Sequence, residues 1–310
     1  MMEYFYPIMD FAVHIWRFNF TAIDQIRFPP GKAGNILRGA FGIILRKIAC
    51  RPDCPCADEC ELRHTCAYAR LFEPRTAARN GPSGFADWPR PFVLRAAHLD
   101  GRTISPGDGF QFYAHVFLRD EPPLDAFVAV FRELARDGLG PGRGRAELAS
   151  SDARTVTLPV SAEEHRNHGL RVRFLTPTEL KGGAEFLFQP EFRVLYSRAR
   201  DRVSMLSALY GLGPLDIDFH AAGERAGQVK LVKSELHQVQ AERRSSRTGQ
   251  THPLGGFVGE AQYAGAIAEF LPVLRIAEWT GVGRQTVWGK GAIQCEVTDP
   301  PGGDTGDETA

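Results

Sequence analysis

Hydrophobic periodicity changes once within the first fifty residues. Phe11-Ala12-Val13-His14-Ile15-Trp16-Arg17-Phe18-Asn19-Phe20 alternates as a strand does. After the turn Phe28-Pro29-Pro30-Gly31, the residues Ala33, Ile36, Leu37, Ala40, Phe41, Ile44, Leu45 and Ile48 follow the three-four spacing of a helix with one buried face. Arg38, Arg46 and Lys47 occupy the other side. Two strands follow near 91–100 and 110–119, joined by Pro106-Gly107-Asp108-Gly109. A second helix buries Leu124, Phe127, Val128, Phe131 and Leu134, and a glycine-rich run over 138–145 leads into a strand at 146–150. The order is β-α-β-β-α-β.

The same order returns further on. A strand over 170–175 is expected to stop at Pro177, and a helix over 191–210 buries Leu195, Ala199, Val203, Leu206 and Leu209. Strands follow near 228–242 and 256–264, with the basic polar run Arg243-Arg244-Ser245-Ser246-Arg247-Thr248-Gly249-Gln250 between them. Pro272 either opens the final helix or kinks it. The loop Gly281-Val282-Gly283-Arg284-Gln285-Thr286-Val287-Trp288-Gly289-Lys290-Gly291 then precedes the alternating Ala292-Ile293-Gln294-Cys295-Glu296-Val297. Both glycine-rich runs stand ahead of a strand, which points to an internal duplication. The expected fold is α+β: two tandem ferredoxin-like (RRM-like) domains over 1–160 and 161–298, with a cysteine-rich insertion at 50–74 in the first. The polar stretch 161–169 is the expected linker, and the acidic end, 299–310, is expected to be disordered.

Composition changes this picture in two places. The chain has 310 residues and a formal net charge of zero, which argues against a nucleic-acid partner. The signs are unevenly placed, however: residues 296–310 carry acidic side chains and no basic one, leaving the rest mildly basic. Arginine far outnumbers lysine among the 37 basic residues, and arginine suits bidentate phosphate contact. A GC-rich coding sequence would give the same bias. No apolar run reaches the length of a membrane span, and the N-terminus lacks a signal peptide's basic region, so a cytoplasmic location is expected.

The cysteines are the second place. Cys50, Cys54, Cys56, Cys60 and Cys66 fall in one stretch of the insertion. In a cytosolic chain such clustering points to metal rather than disulfides. Four thiolates suit structural zinc, and a [4Fe–4S] cluster takes the same number. Without such a staple the insertion has little apolar content to order it. Cys295 alternates with apolar residues and reads as a buried thiol.

In the last loop, glycines let the backbone approach a ligand, and Arg284 and Lys290 supply positive charge. A strand follows, so this is neither a Walker loop nor a dinucleotide fingerprint, both of which open a helix. Several segments together resemble the CRISPR precursor-RNA processing endoribonucleases of the RAMP superfamily. They are Gly34-Asn35-Ile36-Leu37-Arg38-Gly39-Ala40-Phe41-Gly42, Cys66-Ala67-Tyr68-Ala69-Arg70-Leu71-Phe72-Glu73-Pro74, Phe174-Leu175-Thr176-Pro177-Thr178-Glu179-Leu180-Lys181, Arg244-Ser245-Ser246-Arg247, Leu254-Gly255-Gly256-Phe257-Val258-Gly259 and the terminal glycine loop.

That resemblance implies an RNA-binding cleft between two ferredoxin-like domains. It also implies metal-independent cleavage within each CRISPR repeat by attack of a ribose 2′-OH, leaving a cyclic phosphate. Other subunits of a CRISPR effector complex are implied as partners. Many members place a catalytic histidine near the end of the first helix, but here 15–63 contains none. His237 and His252, which flank the basic run, are the candidate proton carriers, with Arg244 beside the phosphate. Arg38, Arg46, Arg243, Arg247, Gly281, Gly283, Arg284, Gln285, Gly289, Lys290 and Gly291 are the candidate RNA contacts. The missing histidine leaves two further readings open: a histidine-free site in which Arg and Lys stabilise the phosphorane while Ser or Tyr relays the proton, and an RNA-holding subunit that does not cut.

Overall fold

The computed structural model describes residues 10–54, 59–74, 88–119, 122–160, 168–182, 185–186, 189–240, 242–244, 251–253 and 255–298. The first half forms β1 (Asp10–Ala22), β2 (Ile26–Arg27), α1 (Ala33–Ala49), α2 (Ala67–Leu71), β3 (Phe92–Arg95), β4 (Thr103–Ile104), β5 (Gly109–Val116), α3 (Leu124–Asp137) and β6 (Ala146–Pro159). The second forms β7 (His168–Thr178), β8 (Lys181–Gly182), β9 (Glu185–Phe186), α4 (Phe192–Tyr210), α5 (Phe219–Ala226) and β10 (Lys230–Val239). It continues with β11 (Glu242–Arg244), β12 (Thr251–Pro253), β13 (Gly256–Gly265), α6 (Leu271–Thr280) and β14 (Ile293–Thr298).

Two four-stranded antiparallel sheets result, in the orders β3-β5-β1-β6 and β10-β13-β7-β14. In each, the first and third long strands are central and the last lies at one edge. This is the ferredoxin-like order, present twice.

Packing explains why the halves stay together. In β1, Trp16, Phe18 and Phe20 point to one side, where they meet Phe41, Phe112, Phe127 and Phe131 beneath α1 and α3. Phe11, Val13 and Ile15 point to the other side and join a core that includes Val172, Leu195, Phe270 and Ile276 from the second half. Each such side chain contributes about 1.5–3 kcal/mol when fully buried, so one strand anchors two cores.

Arginines finish the joint. Arg95 donates at 2.9 Å to the carbonyls of Glu278 and Trp279, and Arg202 donates to that of Thr280 at 2.9 Å. These are end-of-helix carbonyls of α6, where positive charge is favoured. Burial pulls Arg95 down to about 10 and Arg202 to about 9, which leaves both charged at neutral pH.

Several expectations need correction. The last strand of the first domain does not end at 150: β6 pairs along the whole of β1, from Asp10 opposite Pro159 to Ala22 opposite Ala146. Nor does Pro177 stop β7. Pairing with β14 has already ended at Phe174, and β13 skips register between Phe257 and Gly259, so the missing N–H breaks no rung. Ile48 is 49% exposed rather than part of the buried face of α1, whose interior includes Gly34 and Gly42 instead. Pro272 lies in the first turn of α6 and starts it. Helix α5, capped by Asp218 accepting from the amides of His220 and Ala221, was not anticipated. The stretch 161–167 and the acidic end lie outside the described residues.

Candidate nucleic-acid interface

The glycine-rich loop 281–291 is wedged between the domains. Gly289, at φ +81°, has room only for hydrogen, since a Cβ there would stand 2.5 Å from the Leu94 carbonyl of β3. A Cβ on Gly34 would likewise run into the Trp288 carbonyl. Thr176 donates its hydroxyl to the Gly289 carbonyl and accepts from the Ala292 amide, both at 2.9 Å. The loop's amides turn inward too: Val282 donates to the Gly291 carbonyl, Arg284 to Glu179 and Gly291 to Pro177. Gly281 and Gly283 also have positive φ.

Its two cations differ sharply. Lys290 is buried, with its ammonium 3.3 Å from the Gly31 carbonyl. Burial pulls Lys290 down, while nearby Asp100, itself pushed up by burial, partly restores it. Asp100 accepts from the Ala33 amide at 2.8 Å and so supplies the helix cap that Lys32 does not. Lys290 therefore braces the first domain, and the expectation of a phosphate contact there fails on accessibility. Arg284 is exposed and ion-paired with Glu179. Gln285, beside it, is left-handed at φ 61°.

On α1, Arg38 is half-buried, its guanidinium 4.3 Å above the Phe72 ring and 5.8 Å from that of Trp288. Arg46 is exposed, 5.9 Å from the Tyr68 ring. Arg38 thus joins α1, the segment after α2 and the glycine loop, and Arg46 remains on the surface.

The first residues of the basic run, Arg243 and Arg244, lie on β11, which pairs with β12 as a two-stranded sheet, a hairpin between β10 and β13 in the chain. His237 is exposed on β10, opposite Val258. Beyond it, backbone pairing sets Arg243 opposite His252 and Arg244 opposite Thr251. Arg247 lies outside the described residues. The hairpin base and the glycine loop meet the same end of β7, since Gly256 packs on Thr178 and Gly283 on Glu179. They sit at opposite edges, though, because β10 and β14 are the outer strands. Three strand spacings separate those edges, about 14 Å. His237 and Arg284 thus share an end of the sheet without touching.

The open face of the second sheet carries charge that is already balanced. Arg171 pairs with Glu260 at 3.0 Å and Glu296 at 3.1 Å, and Arg173 pairs with the same two carboxylates at 3.3 and 3.9 Å. Gln262, Arg173 and Arg171 together hold the Glu260 carboxyl below its usual range.

In the insertion, Cys50, Cys54, Cys60 and Cys66 are free, half-buried thiols, and Cys56 lies outside the described residues. Burial and the neighbouring thiols of Cys66 and Cys54 push Cys50 up to about 12. Among the described residues, no group of three or more His, Cys, Asp or Glu side chains is drawn together as around an ion. Cys295 is buried, as expected.

Comparison with known proteins places the chain. Residues 11–168 match the family model AF_1859_N, an N-terminal domain, and residues 172–293 match the model of the CRISPR-associated endoribonuclease Cas6. The second half of the chain is thus similar to Cas6, and the first half carries the AF_1859_N domain. No curated protein matches the chain in sequence. Among solved structures, a Thermus thermophilus Cas6 product complex is 19% identical, with a TM-score of 0.56 over 93% of this chain and 99% of that one. A second Cas6 product complex is 18% identical, with a TM-score of 0.52 over 92% and 99%. A partial Cas6-RT-Cas1–Cas2 complex is 12% identical, with a TM-score of 0.54 over 94% of this chain and 47% of that one. At such identities the likeness is one of fold, and it extends through both domains.

Within this fold the sequence left some polar groups unnoticed. On the open face of the first sheet, Arg17 pairs with Asp152 at 2.9 Å, and Gln111 donates to the Tyr113 hydroxyl at 3.0 Å. His98 stands edge-on to the Tyr113 ring at 6.5 Å. The polar odd positions of β1, namely Arg17, Asn19 and Thr21, were the available signal. His115 is a different case: it lies 5.2 Å from Trp279 and hydrogen-bonds its carbonyl, and burial pulls it down to about 3. It is a neutral packing residue at the domain joint. Among the described residues no helix is long and apolar enough to cross a membrane.

Proposed function

We propose that this chain binds the repeat of precursor CRISPR RNA and cuts it once per repeat without a catalytic metal. The observation that carries the reading is the match of residues 172–293 to the Cas6 endoribonuclease model, on a chain whose fold follows that of Cas6 structures through both domains. Specificity would come from hairpin shape and unstacked nucleotides rather than from reading a duplex groove.

The chemistry follows from the substrate. The ribose 2′-oxygen attacks the adjacent phosphorus, the bond from phosphorus to the 5′-oxygen breaks, and that oxygen leaves with a proton. The products are a 2′,3′-cyclic phosphate and a 5′-hydroxyl. A base for the 2′-OH, an acid for the leaving oxygen and a cation beside the phosphorane are required. His237 and His252 are assigned the proton transfers, and Arg244 the developing charge. Arg243, Arg247, Arg46 and Arg284 take the phosphates of the bound strand. The glycines at 281, 283, 289 and 291 act by holding that end of the second domain against α1.

The test is a gel assay with the repeat RNA encoded beside the gene, in excess EDTA, with a 2′-deoxy control at the cut site. One discrete cut, lost in the 2′-deoxy RNA, is the expected result. Cleavage that needs a divalent ion would sink the mechanism. A second reading, an RNA-holding subunit of a CRISPR effector complex, is favoured by one feature: residues 15–63, which include α1, contain no histidine. Tight, salt-sensitive binding without any cut would select it.

A further inference from the structure

Each four-stranded sheet has two outer strands, and a bare outer edge offers unpaired N–H and C=O groups to any further strand. Three of the four edges are guarded. β3 has four residues, and Gly289 of the glycine loop backs against its Leu94 carbonyl. β14 has six residues. β10 carries Lys230, Lys233 and Glu235, and its register with β13 is interrupted between Leu231 and Lys233. Short length, a covering loop, lysines and irregular register all discourage pairing at an edge.

β6 lacks these guards over most of its length. It runs for 14 residues and pairs with β1 alone among the described strands. Its one interruption comes early: Asn19 faces Ser150 and Phe20 faces Leu148, so Ala149 is the extra residue of a bulge. From Ser150 to Thr155 every residue is exposed, and the strand holds no lysine. Ser151, Ala153 and Thr155 lie on the helix-bearing face, opposite Phe18, Trp16 and His14, yet nothing covers them among the described residues. They are small, so no bulky side chain on that face keeps another strand away.

Charge identifies the strand that fits. Around Ala153 the chain reads Ser150-Ser151-Asp152-Ala153-Arg154-Thr155-Val156. Laid antiparallel on itself about Ala153, this stretch sets each Asp152 opposite Arg154 of the other copy and each Ser151 opposite Thr155. Both are favourable cross-strand pairs. Moving the axis by one residue sets Asp152 against Asp152 or Arg154 against Arg154, which is unfavourable. Asp152 already accepts from Arg17 at 2.9 Å on its inner side. Arg154 is exposed and forms no ion pair among the described residues.

We propose that β6 is a dimer seam, pairing antiparallel with β6 of a second copy of this chain about a two-fold axis at Ala153. The two first sheets then form one continuous sheet, and both open faces look the same way. Residues 150–156 pair over roughly 24 Å. A seam of one strand pair is smaller than the roughly 1,200 Å² of a standard interface, so the dimer dissociates on dilution.

The full-length protein, free of RNA and in reducing buffer, is followed by sedimentation equilibrium from about 1 to 100 µM. A monomer–dimer equilibrium is the expected result. Asp152→Arg and Arg154→Asp each set like charges across the seam and should weaken the dimer about tenfold. Mixed together, the two variants carry complementary pairs about the same axis and should form a heterodimer. A monomer at every concentration would overturn the proposal. So would a dimer that both variants leave unchanged, or a loss that mixing does not restore. Melting temperatures report whether the variants fold. Should one not, Ala153→Cys decides: mild oxidation should give a disulfide-linked dimer that the unaltered protein does not form, and its absence sinks the register. No RNA enters the assay, so it is independent of whether the chain cuts.

Discussion

The two glycine-rich loops occupy equivalent places, each running into the last strand of its sheet, yet they close on different partners. The loop over 138–145 folds back within the first domain: Gly140, at φ +71°, packs on the Arg27 carbonyl and Gly144 on that of Gln25. Its cations are used there as well, with Arg145 paired to Asp24 at 2.7 Å and Arg143 bonded to the Asp137 carbonyl. The loop over 281–291 crosses to the other domain, through Gly289 on Leu94, Trp288 on Gly34 and Lys290 on Gly31. In both, glycine density answers to backbone passing close to backbone. A phosphate cradle would leave amides pointing outward, and here several of the second loop's amides are already bonded. What distinguishes the second loop is that it joins two bodies, with Arg284 left at the surface.

The largest test of this contrast is a pair of alanine substitutions. Gly140→Ala and Gly289→Ala each place a Cβ against a carbonyl at positive φ, and each should cost about 2–4 kcal/mol. Gly289→Ala should in addition split thermal unfolding into two transitions, because it loosens the joint, whereas Gly140→Ala should keep one. A single transition in Gly289→Ala would break the comparison.

Acid sharpens it next. His115 sits at the joint with a pKa lowered from 6.5 to about 3, chiefly by burial. The unfolded chain takes up its proton first, so the stability held above pH 6.5 is lost as pH falls toward about 3. By pH 5 the loss should reach about 2 kcal/mol, and His115→Gln should flatten the acid limb of a denaturation-versus-pH curve.

The hairpin should answer to salt instead of to stability. Arg243→Ala with Arg244→Ala should leave the melting temperature alone and weaken RNA binding several-fold to tenfold. The slope of affinity against salt should fall by about one to two. Lys290→Ala should do the reverse, lowering stability with the salt slope unchanged. Smallest of all, Arg145→Ala removes an exposed pair with Asp24 and should shift stability by less than about 1 kcal/mol.

Much of the fold could be read from residue order. The switch between two-residue and three-to-four-residue periods located both β-α-β-β-α-β units, because burying one face of a strand or helix leaves that imprint whatever lies opposite. Places where the pattern misled share one cause. Pro177 sits where β13 skips register, Ile48 lies beyond the packed part of α1, and β6 extends because β1 offers it thirteen residues to pair with. Each depends on a partner far away in the chain. Helix α5 has a cap, Asp218, that could have been recognised.

The candidate site was legible in kind and less so in role. Arginine in the glycine loop and in the basic run marks charge, but whether a cation meets solvent or a carbonyl is decided across the domain joint. Lys290 and Arg284 are six residues apart and differ in that respect. By itself, the sequence determined the two-domain α+β plan, the family resemblance and the cysteine cluster, since these follow from local period, spacing and composition. Only the tertiary structure decided that β1 feeds two cores and that the second glycine loop locks the domains. It alone made Lys290 internal and brought the hairpin base and Arg284 to one end of a sheet. Most of these contacts join residues more than a hundred positions apart, and no local pattern encodes which backbone will lie against which.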